Sequence, residues 1–148
     1  MPEQEDMMSI ETSMGSGWFA VAVQALVVLA RTEGNCSSSM IACSLKAHAV
    51  FLRRVMAQLV RSDIVEVREG RDGGYRLSRA AECITLADVY KAVHGVGALD
   101  LSPYEAHSDC TFTCRISAVM HAISNEVDEQ VQITLTQHTI AQIVAKAL

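Results

Sequence analysis

Positively charged side chains are concentrated in one short part of an otherwise acidic chain. The 148-residue protein has a formal net charge of −5 at pH 7, with 12 lysines and arginines against 17 acidic residues. Residues 46–79 nevertheless contain eight of those 12 basic residues and only four acidic ones, which gives a local charge of +4. Phosphate binding depends on the local field, because exposed charges are screened within a Debye length of about 10 Å. This segment is therefore a candidate for contacts with a nucleic-acid backbone.

The first part of the basic segment has the periodicity of a helix. Phe51, Val55 and Leu59 are spaced at i, i+4 and i+8, which predicts one apolar face. Arg53 and Arg54 lie off that face, near the start of the predicted helix. Two interpretations remain open: a helix that enters a DNA groove, or a solvated basic helix on an ordinary domain.

The second part of the basic segment has the pattern of a hairpin. Residues 64–68 (IVEVR) alternate with a period of two, the tip EGRDGG follows, and residues 75–78 (YRLS) complete a second short strand. Arg68 and Arg71 flank the tip. A basic helix followed by an arginine-rich hairpin is the layout of a winged helix, in which the helix enters the major groove and the wing reaches a flanking minor groove.

The residues before the basic helix predict the remainder of a helix-turn-helix. A strongly apolar first helix is expected over about Ser16–Thr32, and Ser37 or Ser38 could cap a short helix that runs to Leu45. Residues 46–48 (KAH) would then turn the chain into the basic helix. A helix, a short helix, a tight turn and a longer helix together form this motif.

The residues after the hairpin predict three more elements. Thr85-x-x-Asp88 is a helix start signal, and Gly95 is expected to end that helix. Residues 95–109 are expected to form a loop. A long amphipathic helix should follow, with an apolar stripe of Ile116, Val119, Met120, Ile123 and Val127, and then a last helix with Ile140, Ile143, Val144 and Ala147 on one face.

The apolar stripe of the long helix requires a packing partner that removes it from water. We expect a two-fold homodimer in which these helices pack on each other, which would place two recognition helices one DNA turn apart. The alternative is a helix that folds back on its own domain. We predict a division into a mobile tail (residues 1–12), a winged helix-turn-helix domain (residues 13–95), and a unit with the loop, the dimerisation helix and the last helix (residues 96–148).

Composition excludes several other classes of protein. The first twelve residues are acidic and no signal peptide or membrane-spanning apolar run is visible, so we expect a cytoplasmic protein without membrane contact. Five cysteines in a reducing compartment are not a disulfide framework. No nucleophile elbow, phosphate loop or zinc-protease signature is present, so nothing supports an enzyme.

Several segments occur in an order that is typical of one family. They are a first helix ending in Leu-Ala-Arg, the segment FLRRVMAQLVRSDIV, a Gly-Gly-Tyr-x-Leu wing, the segment ITLADVYKAVHG, a cysteine-containing loop and a long helix. The chain thereby resembles the Rrf-two family of bacterial transcription regulators from about Ser13 to Leu148. That family includes an iron–sulfur cluster regulator, a nitrite-sensitive repressor and a cysteine-metabolism repressor.

The resemblance implies a dimeric winged-helix regulator that binds a palindromic operator in double-stranded DNA. Its promoter affinity would respond to a bound cofactor or to thiol chemistry. Family wings often carry Arg-Gly before the tip, whereas this chain has Glu69-Gly70 there. The candidate DNA-contacting residues are Ser38, His48, Ala49, Arg53, Arg54, Arg68, Arg71 and Gly73.

The cysteines depart from the pattern of the cluster-binding members, which typically place three in the loop before the long helix. Only Cys110 and Cys114 lie there in this chain. An iron–sulfur cluster needs about four ligands, mostly thiolates. Glu105, His107 and Asp109 could complete a mixed set only by unusual ligation, and zinc faces the same shortage of close ligands.

A thiol switch has fewer requirements than a cluster. It needs one accessible thiol of lowered pKa and a second thiol within reach. We predict that Cys110 and Cys114 are redox-sensing residues without a cofactor or metal, and that Cys110 could pair with Cys36 or Cys43 of the partner subunit. The alternative is that most thiols are buried and inert, which is the expectation for Cys43.

We therefore expect a regulator, most simply a repressor, tuned by cysteine chemistry. An iron–sulfur regulator with unusual ligands is the first alternative. A protein-interaction module that has lost DNA affinity is the second, since the acidic total and Glu69 favour it.

Overall fold

Helix α1 (Trp18–Arg31) is the central helix in the computed structural model of the protein, which describes residues 17–94 and 111–148. Trp18, Ala22, Leu26 and Leu29 are buried at helical spacing along it. Helices from both ends of the chain pack around α1. The prediction of a first helix over about Ser16–Thr32 is therefore confirmed to within two residues at the start and one at the end.

The next two helices form the predicted helix-turn-helix. Helix α2 (Ser38–Leu45) is capped by Ser37, whose hydroxyl accepts a hydrogen bond from the Met40 N–H at 3.2 Å. Lys46 then adopts a left-handed conformation with φ 51°, which ends the helix and turns the chain. Helix α3 (Ala49–Arg61) follows, and its apolar face packs into the same core as α1.

The wing is a two-stranded antiparallel sheet of β1 (Val65–Arg68) and β2 (Gly74–Leu77). Its register pairs Val65 with Leu77 at one end and Arg68 with Gly74 at the other. The fold class predicted from sequence, mainly helical with a small β-wing, is confirmed.

Backbone hydrogen bonds join the wing to the loop that precedes α2. The Cys36 N–H donates to the Tyr75 carbonyl at 2.9 Å, and the Tyr75 N–H donates to the Cys36 carbonyl at 2.8 Å. The side-chain amide of Asn35 also donates to the backbone carbonyl of Asp72 at 2.9 Å. These three hydrogen bonds attach the wing to the loop between α1 and α2.

Helix α4 (Leu86–Val93) begins with the predicted start signal. The Thr85 hydroxyl accepts from the Asp88 N–H, and the Asp88 carboxylate accepts from the Thr85 N–H, which is a complete capping box. Arg79 also approaches the Asp88 carboxylate, with Nη2 and Oδ2 3.3 Å apart. Partial desolvation of Asp88 acts to raise its pKa, but the bonds from Thr85 and the charge of Arg79 outweigh it, so the pKa lies below its usual value.

The two C-terminal helices have very different surroundings. Helix α5 (Thr111–Thr136) extends for 26 residues, and only Ser124 of its residues is buried. Helix α6 (Ile140–Ala147) returns to pack on α1, and the Ile140 N–H donates to the Ile84 carbonyl at 2.9 Å. Of the four apolar residues expected on one face of this helix, Ile140 is fully buried, whereas Ala147 is exposed.

The predicted tail (residues 1–12) and the predicted loop (residues 95–109) lie outside the described residues. The boundary at residue 95 stays a prediction, although Ile140 shares one core with the winged helix. Across residues 17–94 and 111–148, no helix has both the length and the apolar composition needed to cross a bilayer.

The junction between Cys36 and the wing leads to a prediction about Gly74. A Cβ atom at Gly74, where φ is 146°, would lie 2.6 Å from the Cys36 carbonyl oxygen. At Gly34, where φ is 83°, a Cβ would meet nothing within 4 Å. We expect Gly34→Ala to cost about 1 kcal/mol of unfolding free energy from the backbone conformation alone, and Gly74→Ala to cost roughly 2 kcal/mol more because the strand must shift.

Denaturant unfolding of both variants and the wild type measures this difference. Equal losses of stability in the two variants would show that the wing does not depend on the close approach of Cys36.

Candidate nucleic-acid interface

The two sides of α3 differ sharply in burial. Leu52, Val55 and Leu59 have no exposed surface, and Met56 lies beside them. Apolar residues at this spacing hold one side of the helix against the core, so residues between them must point outward. Phe51 is only half-buried, and its ring packs edge-on against Trp18 with the ring centroids 5.6 Å apart.

The outward side of α3 carries Arg53, Arg54 and Arg61, all exposed. Among the residues that the structure describes, none of the three forms an ion pair or a side-chain hydrogen bond. Their guanidinium groups are thus available to an external anion. Arg53 and Arg54 lie in the first half of the helix and Arg61 is its last residue.

The start of α3 is also open to solvent. His48 occupies the N-cap position in an extended conformation, and its side chain makes no capping hydrogen bond. Both His48 and Ala49 are exposed. The first turn of a helix leaves backbone N–H groups without intrahelical acceptors, and these N–H groups favour anions.

Ser38 lies at the first position of α2 and is half-buried. Of the two serines expected to cap this helix, Ser37 does so, which leaves the Ser38 hydroxyl outside the cap.

Some arginines in and beside the wing point to solvent, whereas others are paired within the protein. Arg68 and Arg71 are exposed and unpaired within the described part of the chain. Arg76, by contrast, is paired with Glu66 across the two strands. Arg79 donates to the Asp63 and Cys83 carbonyls, each at 3.1 Å, besides its contact with Asp88. Fewer arginines are therefore available to an external anion than the sequence count indicates.

Gly73 has a structural role at the tip of the wing. A Cβ atom there would lie 2.3 Å from the Arg68 carbonyl oxygen, and the Gly73 N–H donates to the Gly70 carbonyl at 3.1 Å. Any larger residue would push the two strands apart. Gly73 thus positions Arg68 and Arg71 on either side of the tip.

Helix α5 leaves most of its predicted apolar stripe in solvent. Ile116 is 48% exposed, Val119 59%, Met120 40% and Ile123 45%, whereas Val127 is half-buried. An open groove of about 550 Å³ continues this surface toward the C-terminal half of the helix. It is lined by Glu126, Val127, Gln130, Val131, Thr134 and Leu135.

A different face of α5 packs on its own domain. Ser124 is buried, and the Tyr90 hydroxyl donates to the Asp128 carboxylate at 3.3 Å. Burial, followed by the negative charge of Asp128, raises the pKa of Tyr90. The Tyr90 ring also stacks on His94, with the ring centroids 4.2 Å apart. The alternative that α5 folds back on its own domain thus holds for the Ser124–Asp128 face, but not for the exposed stripe.

The cysteines differ from expectation in one respect. Cys43 was expected to be buried and inert, but it is exposed on α2 because α2 turns Ile41 toward the core instead. Cys36 is only 1% exposed, and burial raises the pKa of its thiol, which leaves it poorly suited to pair with Cys110 of a partner subunit. Cys83 and Cys114 are exposed, and Cys114 lies in the first turn of α5.

The candidate ligands of a metal or cluster are only partly within the described residues. Cys114 is described, whereas Glu105, His107, Asp109 and Cys110 lie outside the described residues. Residues 17–94 and 111–148 bring no three His, Cys, Asp or Glu side chains together in a way that could hold a metal ion. The described residues alone therefore do not fit an iron site.

Sequence reasoning missed three features of this surface. Val50, on the first turn of α3, is 64% exposed; its position off the apolar face was a visible signal. The contact between Asn35 and the wing tip and the contact between Tyr90 and Asp128 had no local signal, because each joins residues more than 30 positions apart.

The chain is similar to known transcription regulators over most of its length. The family model Rrf2, described as an iron-dependent transcriptional regulator, matches residues 16–146. YwgB of Bacillus subtilis (strain 168), assigned as an HTH-type transcriptional regulator, is 30% identical over 117 residues, which cover 74% of this chain and 75% of YwgB.

Solved structures extend the similarity to the fold. IscR of T. potens has 24% identity and a TM-score of 0.66, over 90% of this chain and 87% of that protein. CymR, the global cysteine regulator of B. subtilis, has 21% identity and a TM-score of 0.63, over 88% of this chain and 95% of that protein. At these identities the likeness shows a shared fold.

Proposed function

This chain belongs to the Rrf2 family of transcriptional regulators, and on that premise we propose that it is a homodimeric repressor whose operator affinity is tuned by cysteine chemistry. The family and the curated relatives are regulators of transcription and not enzymes.

The outward face of α3 is the observation that carries the proposal. Complete burial of Leu52, Val55 and Leu59 turns Arg53 and Arg54 to solvent, where no side chain of the described residues neutralises them. In a helix-turn-helix the second helix lies in the major groove, and residues near its start contact base edges. An arginine there can donate two hydrogen bonds to guanine O6 and N7. His48, Ala49 and Ser38 lie at helix starts, where they would contact the flanking phosphates.

The wing would add contacts that do not depend on sequence. Arg68 and Arg71 flank a tip that Gly73 keeps narrow. A narrow hairpin with two outward arginines suits a minor groove or the phosphates beside it. Glu69, which lies between them in sequence, opposes this attraction and would restrict the orientation of the wing.

Replacing Arg53 and Arg54 by alanine tests the major-groove contact. If each makes a bidentate contact with guanine, each change should weaken operator binding by about 1–3 kcal/mol and relax specificity at one base pair. Arg71→Ala should instead weaken binding to all sequences about equally and lower the salt slope. The measurement is a salt titration of binding to operator and to unrelated DNA.

Lys146→Ala removes one positive charge from exposed surface on α6 and serves as the control, with no expected change in specificity. Unaltered operator binding by the Arg53/Arg54 double variant would contradict the assignment. Binding without any salt dependence would favour a protein-interaction module instead.

The exposed stripe of α5 supports a homodimer. Four large apolar side chains, at positions 116, 119, 120 and 123, lie in solvent on one face, and the groove beside Val127 and Val131 continues that face. A second copy of the same helix would bury the stripe by a two-fold contact. Two-fold symmetry in the protein would in turn require a palindromic operator.

Ile123→Glu tests the dimer. An unpaired carboxylate within an apolar interface costs more than an unpaired neutral polar group, for which the penalty is already roughly 2–7 kcal/mol. Light scattering should therefore show monomers at concentrations where the wild type is a dimer. Asn125→Glu adds the same charge on the exposed side of the same helix and should leave the dimer intact.

Because Ile123 is 45% exposed in the single chain, its replacement should not unfold the winged-helix domain, and circular dichroism checks this. An undiminished Ile123→Glu dimer would place the interface elsewhere.

The position of Cys110 supports thiol sensing. It immediately precedes α5, whose unsatisfied N–H groups and dipole favour a thiolate at that end. Cys114 is exposed one turn further along. Of the two thiols considered as partners in the second subunit, Cys43 is exposed and Cys36 is buried, so Cys43 is the better candidate. The loop leads into the proposed dimer helix, which couples oxidation to the spacing of the two recognition helices.

Oxidation of Cys110 should change DNA affinity by about 5–150-fold, the usual range for coupling between sites. Operator binding is measured before and after mild oxidant for the wild type, for Cys110→Ser and for Cys83→Ser. The third protein lacks an exposed thiol on the turn before α4 and is the matched control. The wild type and Cys83→Ser should respond, and Cys110→Ser should not.

An equal response in all three proteins would exclude Cys110 as the sensor. Protein that is brown when purified without oxygen, with stoichiometric iron, would replace the thiol mechanism by a cluster with unusual ligands.

A further inference from the structure

Val50 is an apolar side chain on the polar side of α3. It is 64% exposed, whereas Leu52, Val55 and Leu59 are fully buried. A β-branched residue loses χ1 freedom in a helix, so an exposed valine gives little stability in return. Folding thus offers no account of a valine at this position.

The neighbours of Val50 are the proposed DNA-contacting arginines. Residues three and four positions apart share one side of a helix, so Val50 lies beside Arg53 and Arg54. All three are exposed, and His48 at the N-cap is exposed two residues before Val50. Val50 is therefore the apolar member of an otherwise basic and polar surface at the start of the helix.

The major groove offers one apolar group to such a side chain, the C5-methyl group of thymine. The minor groove does not present this methyl group. We propose that Val50 is a specificity-determining residue that packs against a thymine methyl in each half-site, next to the base pairs contacted by Arg53 and Arg54. This inference rests on the proposed binding of α3 in the major groove. The contact would make the protein prefer a T·A pair over a C·G pair at one position of each half-site.

Replacing thymine by uracil removes the methyl group and keeps the hydrogen-bonding groups of the base. Operator duplexes are first selected from a random pool with the full-length protein, and each thymine of a half-site is then replaced singly by uracil. For the wild type, uracil at one position should weaken binding about fourfold, the effect of one buried methyl group. For Val50→Ala, the same replacement should change affinity by less than about twofold, because fewer methyl contacts remain.

Val67→Ala is the matched control, since it removes the same atoms from another exposed valine. Val67 lies on β1 of the wing and is 48% exposed. Because the wing is proposed to reach the minor groove, where no thymine methyl is accessible, Val67→Ala should keep the wild-type response to uracil. Thermal melting confirms that both variants are folded.

Wild-type binding that is insensitive to uracil at every position would overturn the contact, and so would a Val50→Ala variant with the wild-type response. In both cases sequence-specific binding persists, so the proposed function would stand. Failure to select any sequence, or to bind any duplex, would overturn the proposed function together with this contact.

Discussion

Burial of one face of α3 determines the direction of every side chain on the opposite face. Leu52, Val55, Met56 and Leu59 are without solvent contact, so the helix has no freedom to rotate about its axis. Rotation by even a third of a turn would expose several of these side chains, at about 1.5–3 kcal/mol each. The orientation of the arginines is thus determined by the buried residues on the other side of the helix.

The wing depends on the same domain by a different interaction. A two-stranded hairpin alone is marginally stable in water, and three strands are usually needed. Cys36 supplies a short third strand through its two hydrogen bonds with Tyr75, and Gly74 permits the close approach that these bonds require. Cys36 is also buried at this junction, and burial raises the pKa of its thiol. The ion pairs of Arg76 and Arg79 hold the base of the wing and leave its tip to Arg68 and Arg71.

Helix α5 joins two environments. Its Ser124–Asp128 face is held to α4 by the Tyr90 hydroxyl, while its large apolar side chains face away from the domain. One helix thereby links the apolar surface it presents to the domain it contacts. Helix α6 returns onto α1 and anchors the end of α5, because Ile140 is buried in the same core as the winged helix.

The elements and their faces follow from local sequence patterns, because helix and strand periods, capping boxes and turn residues act over a few neighbouring positions. The sequence therefore predicted α3 with Arg53 and Arg54 outside, the hairpin, the Thr85–Asp88 capping box and the long helix with its apolar stripe.

Which charged side chains are paired within the protein depends on how the elements pack together. Arg76 and Arg79 belong to the basic segment by sequence but are paired with Glu66 and Asp88 in the fold. Cys43 was expected to be buried but is exposed, because burial depends on which elements pack against each other and not on a residue's own neighbours in the chain. Contacts between residues distant in sequence form only when the core brings their elements together. No pattern of neighbouring residues predicts such contacts.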